Sequence, residues 1–222
     1  MFDLTLTFDN GPDPEATPLV LDTLASHEVR ASFFVIGKSL AMPGRRALCE
    51  RAAAEGHWIG NHSYTHSGPL GLRKEAGLAE REIGRTQDEL GSLASPHRYF
   101  RPQGGGGKLG PHLLSSEAAD FLARGKYTCV LWNSIPRDWN DPDGWVDRAL
   151  AQCSERAWTL MVLHDLPTGA MRHLDSFLAR VADHGGRVRQ DFPPDCLPMV
   201  DGIISASFGK YVADMKSVSG KE

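Results

Sequence analysis

Five short stretches of this 222-residue chain place acid–base or metal-ligating side chains directly behind apolar runs. Leu4-Thr5-Leu6-Thr7-Phe8 leads into Asp9 and Asn10, followed by Gly11-Pro12. An acid at the carboxyl end of a strand stands where α/β folds carry their chemistry, although Asp-Asn-Gly-Pro is also ordinary turn composition. His62 and His66 lie four apart; on a helical turn that spacing brings both imidazoles to one face, within reach of one metal ion. Nine histidines also allow a chance pair of surface or hydrogen-bonded rings. Arg101, in Phe100-Arg101-Pro102, ends an apolar strand and needs a carboxylate partner there, as a structural ion pair or as part of a site. Asp138 beside Trp139 reads as a cap next to a core aromatic or as a site acid. The run Leu160–Leu163 delivers His164 one step past its end, next to Asp165. Burial and carboxylates move a histidine across neutrality in opposite directions, so His164 is poised for proton transfer.

The run Gly104–Gly107, continued by Lys108-Leu109-Gly110, contains a G-x-G-x-x-G match. Four consecutive glycines make such matches easy, no Ser or Thr follows Lys108, and Trp132-Asn133 stand where a dinucleotide site wants an acid. The run therefore reads as a substrate-facing loop with free amide groups, Gly104 and Gly105 nearest the site. No G-x-S-x-G elbow is present, which removes the signal of a serine hydrolase.

Positioning these groups requires alternating strands and helices. Helical spacing follows Pro14-Glu15 through Leu24, and Ala31–Ile36 reads as a buried strand. A helix is expected over Arg45–Ala54, a short strand over His57–Gly60, and the longest helix over Lys74–Leu93. Then come a strand near Arg98–Phe100, a helix near Pro111–Leu122, a strand over Tyr127–Trp132 and a helix over Trp145–Cys153. Trp158–Leu163, a helix over Ala170–His184 and a closing strand at Arg187–Arg189 complete about seven βα units. Functional groups behind the strands favour a barrel or an incomplete barrel over an open sheet. One catalytic domain is expected over residues 1–222, with Asp201–Phe208 a possible late strand and Lys216–Glu222 frayed.

Composition narrows the partners. A formal net charge of −4 gives no basic footprint for nucleic acid or an anionic membrane, and no run is apolar enough to span a bilayer. Met1-Phe2-Asp3 enters the first strand with no leader-like segment, so a cytoplasmic location is expected. Cys49, Cys129, Cys153 and Cys196 are scattered and read as buried, reduced thiols. The oligomeric state is not legible.

Together these stretches resemble the polysaccharide deacetylase family, also called the NodB-homology or carbohydrate esterase 4 family. Thr7–Pro12 is similar to its first motif, T-F-D-D-G-P, and Glu55–His66 to its second, H-[ST]-x-x-H with its lead-in. Arg101-Pro102 matches the start of the third, Asp138-Trp139 the fourth and Leu163-His164 the fifth, in order across residues 4 to 165. The resemblance implies a deformed, incomplete (β/α) barrel and metal-dependent hydrolysis of an N-acyl or O-acyl group. Asp9 would be the base and His164 the general acid, with Arg101 orienting Asp9 and Asp138 tuning His164. Asn10, His62 and His66 would hold a divalent metal, zinc first with cobalt or manganese as alternatives. Trp139 and Leu163 would line the acyl pocket.

Two departures from the family pattern carry expectations. Asn10 stands where relatives have a second Asp, which removes one negative charge from the metal site and should weaken its affinity. Gln103 and the glycines replace the aromatic that normally follows the third motif, so a wider pocket and a small or short-chain carbohydrate amide are expected. The rival readings are a cyclic amide or ureide hydrolase of the allantoinase-like branch and a catalytically silent sugar-binding protein. Asp9, Arg101, Asp138 and His164 together argue against the silent protein, because sugar binding needs no acid–base set.

Overall fold

The computed structural model describes residues 1–213; the fraying expected over Lys216–Glu222 lies outside the described residues. The first strand, β1 (Phe2–Asp9), shows why the chain folds as it does. Successive side chains of a strand point to opposite faces. Leu4, Leu6 and Phe8 accordingly pack in one apolar cluster with Val20, Leu21 and Leu24 of helix α1 (Ala16–Ser26) and Phe177 and Val181 of a late helix. Each fully buried Leu or Phe contributes roughly 1.5–3 kcal/mol. Thr5, Thr7 and Asp9 face the opposite way, into the curl of the sheet.

Strands β2 (Ser32–Val35), β3 (Trp58–Asn61), β4 (Tyr99–Phe100) and β5 (Thr128–Cys129) follow β1 in parallel, with β6 (Trp158–His164) on its other side. The order along the sheet is β6-β1-β2-β3-β4-β5, extended by an antiparallel hairpin of β8 (Met199–Val200) and β9 (Ile203–Ile204). Strand β7 (Gly186–Arg189) pairs with the start of β1, while β2 pairs with its end. Among the described residues, an isolated parallel bridge between Ser134 and Met161 links the two ends of the curl. This is a deformed, incomplete (β/α) barrel. Helices α2 (Gly37–Leu40), α3 (Arg45–Ala54), α4 (Arg85–Leu90), α5 (Ser116–Arg124), α6 (Trp145–Ser154) and α7 (Leu174–Asp183) connect its strands.

Several elements differ from their sequence reading. The expected helix over Lys74–Leu93 starts only at Leu78, because Gly77 turns the chain at φ 68°; it then holds a π-helical turn, Glu80–Gly84, before α4. The stretch Pro111–Leu122 divides into a 3-10 turn at Pro111–Leu113 and α5, capped where the Ser115 hydroxyl accepts the Ala118 N–H at 3.1 Å. Tyr127–Trp132 keeps only two strand residues, because Val130, Leu131 and the residues after them bond in turn to Phe100, Cys196 and Leu160. The late strand expected over Asp201–Phe208 is present but short, as β9 of the β8–β9 hairpin, and a 3-10 turn follows at Phe208–Tyr211. All four cysteines are buried and unpaired. No helix among the described residues is long and apolar enough to cross a membrane.

Candidate active site

The register of the parallel strands assembles the site. Asp9 and His164 are paired residues at the carboxyl ends of β1 and β6, His62 follows the end of β3, and Arg101 follows β4. Four residues far apart in sequence thus meet on one rim.

Arg101 is completely buried. Its Nη1 donates to Asp9 Oδ1 at 2.8 Å and to the Thr7 hydroxyl at 2.6 Å, its remaining nitrogens reach the carbonyls of Val130 and Leu131, and its plane lies over Phe34. A buried guanidinium is tolerable only with such complete pairing. Burial by itself would raise the Asp9 carboxyl, but the charge of Arg101, joined by His164, outweighs it and holds it below the usual carboxylate range. Asp9 is therefore an anion at neutral pH.

His164 receives the opposite treatment. Burial disfavours its charged form, yet Asp138, Asp9 and Asp165 outweigh burial and raise it above an ordinary histidine. Asp138, fully buried, accepts His164 Nδ1 at 3.0 Å and the His164 backbone N–H at 2.8 Å. That fixes the ring and turns Nε2 toward the cavity. Trp139 packs edge-on against the imidazole, with centroids 4.8 Å apart.

His62 and His66 do converge, their ring centroids 4.8 Å apart. The expected helical turn is not what brings them together. The segment is a loop in which Ser63 and His66 take φ of 65° and 53°, so the rings meet through left-handed backbone and not through the helix period. His62 Nδ1 lies 2.8 Å from the Arg101 carbonyl, which can only accept, so Nδ1 carries the proton and Nε2 keeps its lone pair. Burial lowers the pKa of both rings, His66 to about 3, and leaves them neutral and able to ligate. Asn10 completes the set. Its Oδ1 is buried and finds no hydrogen-bond partner among the described residues, an expensive state for an amide oxygen unless something else binds it. Two neutral imidazoles and a free amide oxygen fit a divalent ion.

These groups line a cavity of about 250 Å³ with Gln103, Gly104–Gly107, Trp132, Ile135, Trp139, Val162 and Leu166. Trp139, Gly104 and Gly105 are where the sequence placed them. Leu163 is not. Strand alternation sends it into the helix-side cluster with Phe8, and Val162, one residue earlier, faces the cavity in its place. The wider pocket expected at the glycine run is also corrected. A Cβ at Gly104 would sit 2.6 Å from Trp132, whose indole N–H donates to the Gly107 carbonyl at 3.0 Å. The aromatic wall missing from the third motif is thus supplied from after β5. Sequence reasoning also missed Thr7, hidden in an alternating strand, and Asp165. The latter is buried beneath the Asp9–Pro12 turn, bonded to Thr17 and pushed up to about 7 by burial. A Cβ on Gly11 would fall 2.1 Å from its Oδ2, so no other residue fits there without displacing it.

With this geometry in place, comparisons with known proteins give one answer. A family model described as polysaccharide deacetylase matches residues 3–115. The chain is 37% identical over 168 residues to a chitooligosaccharide deacetylase of Rhizobium leguminosarum bv. trifolii, covering 72% of this chain and 70% of the relative. The chain belongs to the polysaccharide deacetylase family. Among solved structures, the family 4 carbohydrate esterase from Streptomyces lividans in complex with acetate superposes with TM-score 0.71 at 25% identity, covering 88% of this chain and 96% of that one. A family 4 acetyl xylan esterase from Clostridium thermocellum in complex with a cobalt ion gives TM-score 0.67 at 26% identity, covering 85% and 87%.

Membership in the polysaccharide deacetylase family makes this chain a hydrolase of carbon–nitrogen bonds other than peptide bonds. The family match ends before Asp138, Trp139 and His164; it is the pairing of β6 with β1 that brings the last of these to Asp9. The exchange of Leu163 for Val162 is directly testable. Leu163→Ala should destabilise the fold by about 2–5 kcal/mol, as buried leucine truncations do, without changing KM in the folded protein. Val162→Phe should raise KM by filling the cavity. Denaturant titration and steady-state kinetics on both variants check this, and the reverse pattern would return Leu163 to the pocket.

Proposed function

We propose that this chain removes an N-acetyl group from a compact amino sugar or short chito-oligosaccharide, using a divalent metal, zinc first, held by His62, His66 and Asn10. One observation carries the reading: an acid held anionic and a histidine whose protonated form is favoured by Asp138 stand side by side on adjacent strands over one cavity. A divalent ion at the imidazoles would polarise the acyl carbonyl and make water easier to deprotonate. Asp9 accepts the proton of the attacking water, kept aligned by Arg101. His164 then donates its proton to the nitrogen as the carbon–nitrogen bond breaks, because an unprotonated amine is a very poor leaving group.

The cavity of about 250 Å³ lies just below the roughly 300–1,000 Å³ usual for small-molecule sites, which supports a compact substrate. The Rhizobium relative is named for chitooligosaccharides, in line with that size. An amine-release screen over N-acetylglucosamine, chito-oligosaccharides, insoluble chitin and ureides tests the reading. Short soluble N-acetyl sugars should turn over fastest; a preference for ureides or for insoluble polymer would reject it.

Zinc titration by calorimetry tests the metal set. Asn10→Asp should bind more tightly than wild type, since the ligand gains a charge. His62→Ala/His66→Ala should lose binding altogether. Equal affinity in wild type and double variant would remove the metal from this site.

A further inference from the structure

Behind the loop that carries His62 and His66 lies a buried carboxylate that the reaction does not use. Glu82, only 3% exposed, sits on the π-helical turn Glu80–Gly84. Its Oε2 accepts the backbone N–H of Tyr64 at 3.0 Å and of Thr65 at 2.8 Å. Its Oε1 accepts the Thr65 hydroxyl at 2.6 Å and Arg73 Nη1 at 2.9 Å. An ionised carboxylate is acceptor-only, with room for about four donors, and here four donors fill it.

Three of those donors, on Tyr64 and Thr65, lie between the two histidines. Ser63 and His66, the residues with positive φ, bracket the two amides that Glu82 holds. Such backbone persists in non-glycine residues only where the surroundings over-determine it. The same turn supplies a second tie, because the Asn61 side chain donates to the Ile83 carbonyl at 2.8 Å and accepts the Ser63 N–H at 3.0 Å. Arg85 adds a third, its guanidinium stacked 3.7 Å from the Tyr64 ring centre. A π-helical turn leaves backbone groups free of the ordinary helix ladder and is frequent at functional sites.

We infer that Glu82 is a positioning residue: by clamping the Tyr64 and Thr65 amides it fixes the loop in the one conformation that aims His62 and His66 at a common point. The inference rests on the metal reading proposed above. A neutral glutamine has nearly the same shape but replaces one acceptor oxygen with an amino group. It would therefore confront two of the four donors with further donors.

Three readouts test this in Glu82→Gln, with Thr65→Val as a milder variant that removes only the hydroxyl tie. They are zinc affinity by calorimetry, the visible absorption of the Co²⁺ form, and amide hydrogen exchange at Tyr64 and Thr65 in metal-free protein. Outer partners of metal ligands typically matter ~10–100-fold in metal affinity. Glu82→Gln should lose zinc affinity on that scale, alter the Co²⁺ spectrum and exchange faster at Tyr64 and Thr65 while β1 and β6 stay protected. Thr65→Val should shift all three in the same direction by less. Unchanged zinc affinity and Co²⁺ spectrum in Glu82→Gln would overturn the proposal, and Thr65→Val decides in the same way if Glu82→Gln does not fold. Failure of wild type to bind either metal would sink the metal reading instead. Exchange then decides the clamp by itself: equal protection at Tyr64 and Thr65 overturns it, and selective loss there upholds it.

Discussion

Asp9→Asn is expected to lower kcat/KM by ~10²–10⁴-fold, the usual contribution of a general acid–base group. The amide cannot take a proton from water, whereas the Asp9 carboxylate is held anionic chiefly by Arg101, against its own burial. The same substitution should cost stability, because it leaves the fully buried Arg101 without its counter-charge; breaking a buried pair on one side costs about 3–5 kcal/mol. The two losses separate experimentally, the first in amine release by the folded variant and the second in urea titration. They also separate by pH. A carboxylate depressed in the folded state stabilises the protein above its unfolded pKa and loses that contribution as pH falls through the folded value. Wild type should show this acid-limb loss and Asp9→Asn should not. Near wild-type turnover in the folded variant would rule Asp9 out as the base.

His164→Ala should be comparably damaging, with ~10²–10⁴-fold lost from kcat, since His164 is the group proposed to donate to the departing nitrogen. Asp138→Asn is the more discriminating variant. The pKa of His164 is raised because the hydrogen bond and charge of Asp138, followed by Asp9, outweigh burial. A general acid must be protonated, so activity should fall as pH rises through this raised value, above the ordinary histidine range. Removing the Asp138 charge should move that falling limb to lower pH. The stability linkage has the matching sign: the contribution of protonated His164 is complete below its unfolded pKa and disappears as pH rises through the folded one. pH–rate profiles of wild type and Asp138→Asn decide the matter. A falling limb that stays in place would show that Asp138 does not tune His164.

Much of this was legible from local pattern. The alternation of Leu and Thr before Asp9 reports a strand with one apolar face, and that strand stands as read. The all-apolar run before His164 reports a strand covered on both faces, and β6 is one. Arg101 announced that it needed a carboxylate, because a guanidinium cannot be buried unpaired. The polar groups recurring at strand ends were sufficient to expect a barrel rim. These inferences succeed because side-chain periodicity and the cost of burying charge act within a few residues.

Other features depended on register and closure. The partner of Arg101 is Asp9, 92 residues away, and only the β1-β2-β3-β4 order makes them neighbours. Whether Val162 or Leu163 faces the cavity is a matter of strand phase relative to β1, and a shift of one residue reverses it. The convergence of His62 and His66 is imposed by a loop held to the turn at Glu82, not by the helical period that their spacing suggests. Trp132 replaces a missing aromatic because the chain after β5 crosses to Leu160 to close the curl. Which groups have the chemistry and which strands deliver them can be read from residue order, since those properties are local. Which of them meet depends on the folded chain, because pairing register and loop anchoring are set by contacts between residues remote in sequence.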